Sequence, residues 1–508
     1  MKQHWKSIVC VLLSVLCLFS VVSCGDGETT PPEGSSDVVG ATGGDVTGGS
    51  STAPEVTDPK ELYKPAAKVY DRDFVFAGTG QFMDYYIVDE GYNGNGSVIQ
   101  EAAYKRNVFM SDIHGVNVKM KKTELSTLEV ASSSGIHVAD LAVYTNDQQF
   151  TYLIKGLYLD VLTLESLNLS APYWDQQIQE QLMVGDRLYF IEGDFSFVDQ
   201  LRTGAFLFNA TVYAAQGYGE TYGSLYELVD TGAWTQEILF EMSNGMYKDN
   251  NHNNTKDEAD TYGIICGTGL VWALFSGSGL KLMESKHGEM ELLVTDPTHW
   301  ETVYSAIEDI VGKCVGVDDV ANPQLWTGDV WTHASNVFES GNALFRYTAL
   351  SAALRLSSTT CTFGVLPVPK YTKEQTKYYN IASPKGVFHG AMLSAIPDRE
   401  VAAEIFDTLC YYSRYGGSAS LYDAYFETFR TNKFCGTPDD LRMLELLFSN
   451  TFYDLDYAAN ITTIPQKHII SIEMTEDTSK LYSTLHNALT SAQTRLEEFR
   501  LSVAALKS

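Results

Sequence analysis

From residue 98 to residue 144 helical and strand periods alternate without interruption, and that order restricts the chain to strands joined by helices. Residues 84–88 are rich in β-formers. Residues 98–113 carry a helical pattern in which Ile99, Ala102, Ala103, Val108, Phe109 and Met110 share a buried side. Ser97 with Gln100 predicts a capping box at its start, and His114-Gly115 a stop. Val116-Asn117-Val118-Lys119-Met120 alternates as a strand, and residues 125–130 read as a short helix. Residues 138–144 read as an apolar strand opening into the polar loop Thr145-Asn146-Asp147. Strands separated by helices imply a mainly parallel sheet covered on both faces, an α/β fold. Loops after the strand C-terminal ends then line the ligand crevice. Tyr144 and Asn146 sit at such an end.

The alternation continues. A short helix follows Tyr173-Trp174, residues 187–191 read as a strand, and Glu192-Gly193-Asp194 as a break. Residues 205–209 are strand-like. Residues 226–242 are helical, with Thr235 as an N-cap and Leu239 and Phe240 on the buried stripe. A strand is expected over residues 363–369. Residues 477–506 are helical, with Leu481, Leu485, Leu489 and Ala492 on one face. No internal repeat is present.

Residues 1–24 read as a bacterial lipoprotein leader. Lys2 and Lys6 give a positive start, residues 8–22 an apolar run, and Val21-Val22-Ser23-Cys24 a processing site ending in cysteine. Residues 1–23 are expected to be removed and Cys24 lipidated. Residues 25–60 are almost entirely Gly, Ser, Thr, Pro, Val and acid, so they cannot bury enough surface to fold. Residues 24–62 are therefore assigned to a flexible tether with a reach of about 30 Å, enough to hold a folded part clear of a membrane. The mature chain is expected to be anchored on the extracytoplasmic side, not to span.

The formal charge of −29 argues against nucleic acid or an acidic membrane surface as partner. Of the eight cysteines, Cys266, Cys314, Cys361, Cys410 and Cys435 lie beyond the leader, widely spaced and without a CxxC pair. They give neither a zinc site nor an obvious disulfide framework. Most are expected to be buried small apolar residues, with one disulfide left open.

Several of these segments, in this order, resemble the extracellular solute-binding proteins that feed ABC-type importers, particularly those handling sugars and oligosaccharides. The pieces are Leu188 to Asp194, Leu207-Phe208-Asn209, Gly232-Ala233-Trp234-Thr235 opening a helix, residues 338–345, residues 363–369, and Ser394-Ala395-Ile396-Pro397 ahead of a helix at 401–412. The resemblance implies two α/β lobes, each a mainly parallel sheet flanked by helices, joined by a hinge of several segments. It places one lobe at residues 63–192 plus 386–430 and the other at 193–385 plus 431–508. The crossings fall near residues 192–194 and 383–387 and between 429 and 441. Gly193 and Gly386 suit the hinge. The implied partners are a carbohydrate ligand and the membrane subunits of an ABC permease, with the chain a monomer.

The sharpest local motif runs from Asp249 to Asp260. Asp249, Asn251, Asn253, Asp257 and Asp260 stand at positions 1, 3, 5, 9 and 12 of an EF-hand-like loop, with the Thr255 carbonyl at position 7. Calcium needs six to eight hard oxygens, and a loop supplies them when alternate residues point inward. Position 6 is Asn254 instead of glycine, although asparagine tolerates the left-handed bend. Position 12 is Asp260 instead of glutamate, which leaves Glu258 as a source of the bidentate carboxylate. The same run is also good turn chemistry. The resemblance implies a structural calcium, since some oligosaccharide-binding members, alginate-binding ones included, carry a similar loop.

Sugars present flat C–H faces flanked by hydroxyls, so a sugar cleft needs aromatic faces and directed polar groups. Trp272, with Phe275 after it, lies where members often place a cleft aromatic. Its truncation to alanine is expected to weaken binding and spare the fold. Trp331 and Tyr347, with Trp326, are further candidates. Trp234 is expected in the core, and Trp174 in core or cleft wall. The polar complement is expected from Asn146 and Asp147, Asp194 and His389. There is no Gly-x-Ser-x-Gly elbow, His-Glu-x-x-His helix, dinucleotide turn or P-loop. No catalytic residue is assigned, and capture without chemistry is the expected function. The alternatives are a ligand-sensing or adhesion lipoprotein of the same fold and, behind it, a carbohydrate hydrolase.

Overall fold

The first long helix forms where its local signals place it, Val98–His114. Ser97 accepts from Gln100 N and the Gln100 side chain answers at Ser97 N, while Gly115 closes the helix in the left-handed region. Ile99, Ala102, Ala103 and Met110 are buried, but Val108 and Phe109 remain 38% and 37% exposed. The helix carries its core stripe on fewer residues than its apolar content offers, and Phe109 instead lies flat on Tyr412.

The structure, a computed structural model, describes residues 58–79, 87, 92–356, 361–383, 386, 388–431 and 437–506. The leader, Cys24, nearly all of the tether, Cys435 and most of residues 84–88 lie outside these. Residues 59–62, assigned to the end of the tether, form one helical turn, Pro59–Leu62, capped by Asp58. Tyr411 donates its hydroxyl to the Lys60 carbonyl and ties this turn to the folded part.

The strands in chain order are β1 Arg72–Gly78, β2 Val116–Lys122, β3 Leu141–Thr145, β4 Gly204–Asn209, β5 Tyr262–Cys266, β6 Met283–Lys286, β7 Glu289–Leu292, β8 Val320–Ala321, β9 Ala343–Ala349, β10 Phe363–Leu366, β11 Asn380–Ile381, β12 Phe388–Met392 and β13 Thr451–Phe452. Two main sheets result. One has the order β12-β3-β1-β2 and the other β10-β4-β9-β5-β8. In the first, β2 and β3 run parallel to β1 while β12 is antiparallel. In the second, β8 and β9 run parallel to β5, and β4 is antiparallel to β9 and β10. Each sheet thus has a parallel centre to which a strand returning from the other sheet's half is added antiparallel. β4 and β5 are buried along their whole length, as strands covered on both faces must be.

The chain passes between the sheets more than once. Ile191 bridges Gly390 beside β12, and the short helix Val198–Arg202 then leads into β4 of the other sheet. β11 and β12 join the sheets in the return direction. The helix Leu421–Thr431 packs on Val98–His114, whereas Pro438–Ser449 packs on β10. The last helix, Ala492–Ala504, touches both halves: Phe499 meets Phe150, and Arg500 donates to the Met290 carbonyl.

Several expected elements differ. Residues 187–191 form no strand, because the segment is buried in a bed of single partners: Leu188 N donates to Asp160 Oδ1, Val161 N to the Leu188 carbonyl and Ile191 N to Gly390. The expected loop at Thr145-Asn146-Asp147 is instead the start of a helix, Asn146–Leu153. The run 226–242 splits at Gly232, which is left-handed, into Leu225–Asp230 and Gln236–Ser243. Phe240 is only half-buried, while Thr235 caps Ile238 N as expected. β10 ends at Leu366 because Pro367 cannot donate to a ladder. Trp174 and Trp234 are both core, and Trp234 Nε1 donates to the Pro367 carbonyl at 2.9 Å. Gly193 is not among the glycines with a positive φ. Its missing Cβ instead makes room for the Trp174 ring and the Tyr173 carbonyl. Cys266, Cys314 and Cys410 are free and buried, and Cys361 is partly exposed. Among the described residues no helix is long and apolar enough to cross a membrane.

Candidate functional site

β5 and β9 run parallel and end side by side, so the loop after Cys266 and the segment Tyr347 to Ala349 open on the same crevice. A cavity of about 780 Å³ lies there, lined by Thr268, Trp272, Trp331, Tyr347, Ser351 and Tyr457 among others. That volume suits an oligosaccharide of a few residues. Arg202, beside β4, and Gly386, between β11 and β12, also line it, so the cavity touches two of the segments that pass between the sheets. A neighbouring crevice beside Cys266, Cys314 and Glu473 holds only about 40 Å³, room for water and not for a sugar.

Three of the residues singled out from sequence meet in this cavity: Trp272, Trp331 and Tyr347. Trp331, in the first turn of the helix Val330–Glu339, is 46% exposed and lies directly on Gly267, where any Cβ would overlap its ring. Tyr347 covers Gly204 in the same way. Trp272 is only 3% exposed, packed 4.8 Å from Phe275 and 6.3 Å from Tyr457 between ring centres. Its Nε1 and the Ser351 Oγ are buried without a hydrogen-bond partner, two polar atoms at the cavity wall that await one.

The other candidates lie elsewhere. Phe275 is core. Tyr144 is buried and donates to the Thr123 carbonyl at 2.8 Å. Asn146 is buried at the start of its helix with both amide atoms unpartnered. His389 and Glu192 form a buried pair, Nδ1 to Oε2 at 2.8 Å. Burial pushes the imidazole down to about 3, and burial followed by the charges of Asp199, Asp175 and Asp194 raises the Glu192 carboxyl well above its ordinary value. Asp194 pairs with Arg414 at 3.1 Å, yet burial holds its carboxyl up at about 7. These groups belong to the passage between the sheets. Trp326 packs against Tyr262 and His333, away from the cavity.

The loop from Asp249 to Asp260 folds on itself. Asp249 Oδ2 accepts from Asn254 N at 2.9 Å, and Asn254 has a φ of 56°, the left-handed bend expected at position 6. Asn251 Oδ1 accepts from Asn253 N, and Asn253 Oδ1 from Thr255 N. The Asn251 and Asn253 amides converge on Asp257 at 3.0 and 2.7 Å. Asp260 accepts from Asn250 N and Asp257 N. Glu258 turns outward to His333 and Asn336, so the reading of it as a bidentate ligand does not match its orientation. Among the described residues no three His, Cys, Asp or Glu side chains converge as a metal cluster. The carbonyl and amide oxygens of the loop would have to complete the set. One observation fits a hard cation: Asp249 Oδ1 is buried and unpartnered.

No family profile and no curated protein sequence matches the chain. Solved structures do. A cyclo/maltodextrin-binding protein complexed with maltotetraose superposes with a TM-score of 0.54 at 14% identity, covering 84% of this chain and 96% of that one. An ABC substrate-binding protein from Listeria monocytogenes in complex with cycloalternan gives 0.53 at 10%, covering 84% and 100%. CpMnBP1 with mannotriose bound gives 0.51 at 12%, covering 83% and 99%. The chain therefore has the fold of these sugar-bound proteins over their full length.

Proposed function

We propose that this chain is an extracytoplasmic binding protein of an ABC importer, anchored by a lipid on Cys24, which captures a sugar or oligosaccharide and passes it unaltered to a permease. The observation that carries the reading is the half-exposed indole of Trp331 on the wall of a cavity at the ends of β5 and β9. An open aromatic face next to buried polar atoms is what a sugar ring requires. The cavity adjoins the segments between the sheets, so a hinge motion there would close it on its ligand. A hydrolase would need two facing carboxylates, whereas the one carboxylate among the described lining residues is Asp329.

The test is a glycan array read by thermal shift on the full chain, with recovery of the bound glycan. Binding raises the melting temperature and the glycan returns intact. An array on which no glycan shifts the melting temperature would sink the sugar reading. Trp331→Ala is expected to weaken the best ligand about ten-fold or more with melting unchanged, because the ring is half in solvent. Trp272→Ala does not isolate binding, since Trp272 is core as well as wall. An affinity unchanged in Trp331→Ala would move the site elsewhere.

The loop at residues 249–260 is read as a structural calcium site held by Asp249, Asn251, Asn253, Thr255, Asp257 and Asp260. A bound cation would lock a surface turn of the second sheet's half and take no part in ligand capture. Adding calcium to chelator-treated protein is expected to raise stability by about 2.7 kcal/mol at a hundred times Kd. Asp249→Ala should abolish that gain. Equal melting curves with calcium and with chelator would remove the site.

A further inference from the structure

We propose that Glu258 and His333 are positioning residues for ligand capture, holding the helical turn that presents Trp331 to the cavity. This rests on the sugar reading and deepens it. Trp331 stands in the first turn of the helix Val330–Glu339, and no residue of that turn is buried. The buried anchors of the helix, Ala334, Val337 and Phe338, all come later. Apolar packing therefore fixes the far part of the helix and leaves the turn with the indole to polar contacts.

Some of these contacts come from the same stretch of chain. Asp329 caps the helix, accepting from Thr332 N at 2.8 Å and from Thr332 Oγ1 at 2.7 Å. His333 reaches back, its Nε2 meeting the Thr327 carbonyl at 3.0 Å and its ring taking the space that a Gly328 side chain would fill. Such bonds set the shape of the turn but not its place against the sheet. Glu258 comes from outside. Its Oε1 meets His333 Nδ1, and its Oε2 accepts from Asn336 Nδ2 at 3.1 Å, so one carboxylate holds two residues on neighbouring turns. Arg346 of β9 donates to Ser335, which already lies beyond the first turn. The imidazole faces an oxygen acceptor at each nitrogen, and the doubly protonated ring satisfies both. Its contact with Glu258 is then charge-assisted, stronger than a neutral hydrogen bond.

Glu258 has a firm base. Asp260 is fully buried and accepts from Asp257 N at 3.2 Å, and Tyr262 of β5 donates its hydroxyl to the Asp257 carbonyl at 3.0 Å. The carboxylate is thereby fixed relative to β5. Gly267, the residue after β5, lies under the Trp331 ring. The indole is thus tied to the same strand end twice, directly through Gly267 and indirectly through His333 and Glu258. Gly267 lets the ring come close; the Glu258–His333 pair keeps it there. Glu258 is not among the residues read as calcium ligands, so the link does not depend on a cation.

Two measurements on the full chain test this. Without ligand, hydrogen exchange at the Thr332 and His333 amides, both bonded to Asp329, reports on the first turn. Glu258→Ala is expected to speed that exchange several-fold with melting unchanged, His333→Ala to act in the same direction, and Glu258→Gln, which keeps an acceptor, to do less. Calorimetry with the tightest glycan of the array should show Glu258→Ala weakening affinity about three- to ten-fold, the worth of one hydrogen bond. In a Trp331→Ala background the same change should cost nothing more, because its effect passes through the indole. A loss that persists undiminished in that background overturns the proposal. So does exchange that Glu258→Ala leaves unaltered, which strikes the positioning alone and leaves the sugar reading standing. An array without hits, or an affinity that Trp331→Ala leaves unchanged, overturns the sugar reading at this cavity and the capture role with it.

Discussion

Asp407→Ala is expected to destabilise the chain by about 4 kcal/mol or more, the largest loss of any single substitution considered for this fold. The Asp407 carboxylate is nearly buried and accepts four hydrogen bonds: from Asn168 N and Nδ2 at 3.0 Å each, Tyr173 Oη at 2.8 Å and Trp174 Nε1 at 3.0 Å. Alanine would leave four donors without an acceptor, two of them, the Tyr173 hydroxyl and the Trp174 indole N–H, in a core that water does not reach. Each such donor costs about 1–3 kcal/mol. The effect should reach the passage between the sheets, because Trp174 is bridged to Gly193 and Asp194 N donates to the Tyr173 carbonyl at 2.9 Å. Asp407→Asn keeps one acceptor oxygen and should lose less. Urea midpoints rank the two variants, and a shift for Asp407→Ala worth under about 0.5 kcal/mol would show that these donors find other partners.

Asp407 was invisible in the sequence, where it is one acid among many on a helix, and that invisibility has a general cause. What the sequence showed were features with a local mechanism: the Ser97 and Gln100 capping box, the Thr235 cap and the apolar run of β4. Features set by distant partners did not show. Residues 187–191 have the composition of a strand, but only Ile191 reaches a strand, at Gly390 of β12, and the rest of their backbone is satisfied singly instead. Phe109 and Val108 fit the stripe of their helix and still face outward, because Tyr412 reaches across to cover the Phe109 ring. In the cleft, Trp331 and Tyr347 could be named because large rings are rare, while Arg202 and Arg355 look in sequence like any other basic residue. Only the strand ends that bring Tyr347, Thr268 and Arg202 around one cavity place those arginines on its wall. Asp194 at the first crossing and His389 after the second are expected as ligand contacts, and both are buried in the passage between the sheets.

That passage leads to the second large effect: stability is expected to fall as pH rises from about 6.5 to 8.5. Glu192, Asp194 and Asp199 are buried within one stretch of chain, and Asp199 has an unpartnered oxygen. Burial, and then neighbouring acids, raises Glu192 and Asp199 well above the carboxylate range, while burial against the pull of Arg414 leaves Asp194 at about 7. Asp175 and Tyr453 face the same cluster, and His389 is its imidazole, pushed by burial down to about 3. A carboxyl whose folded value is raised contributes stability in full below its unfolded value, and loses it as pH rises through the folded one. His389 acts in the opposite direction: its contribution is present above about 6.5 and is lost as pH falls. Above 6.5 the carboxyls therefore act alone, each with a slope of up to about 1.4 kcal/mol per pH unit. Asp199→Asn removes one slope without changing shape, so its stability advantage over the wild type should be small at pH 5 and should widen steadily toward pH 8.5. Denaturation profiles of the two proteins that stay parallel across that range would mean Asp199 is ionised in the folded chain, with a compensating cation close by.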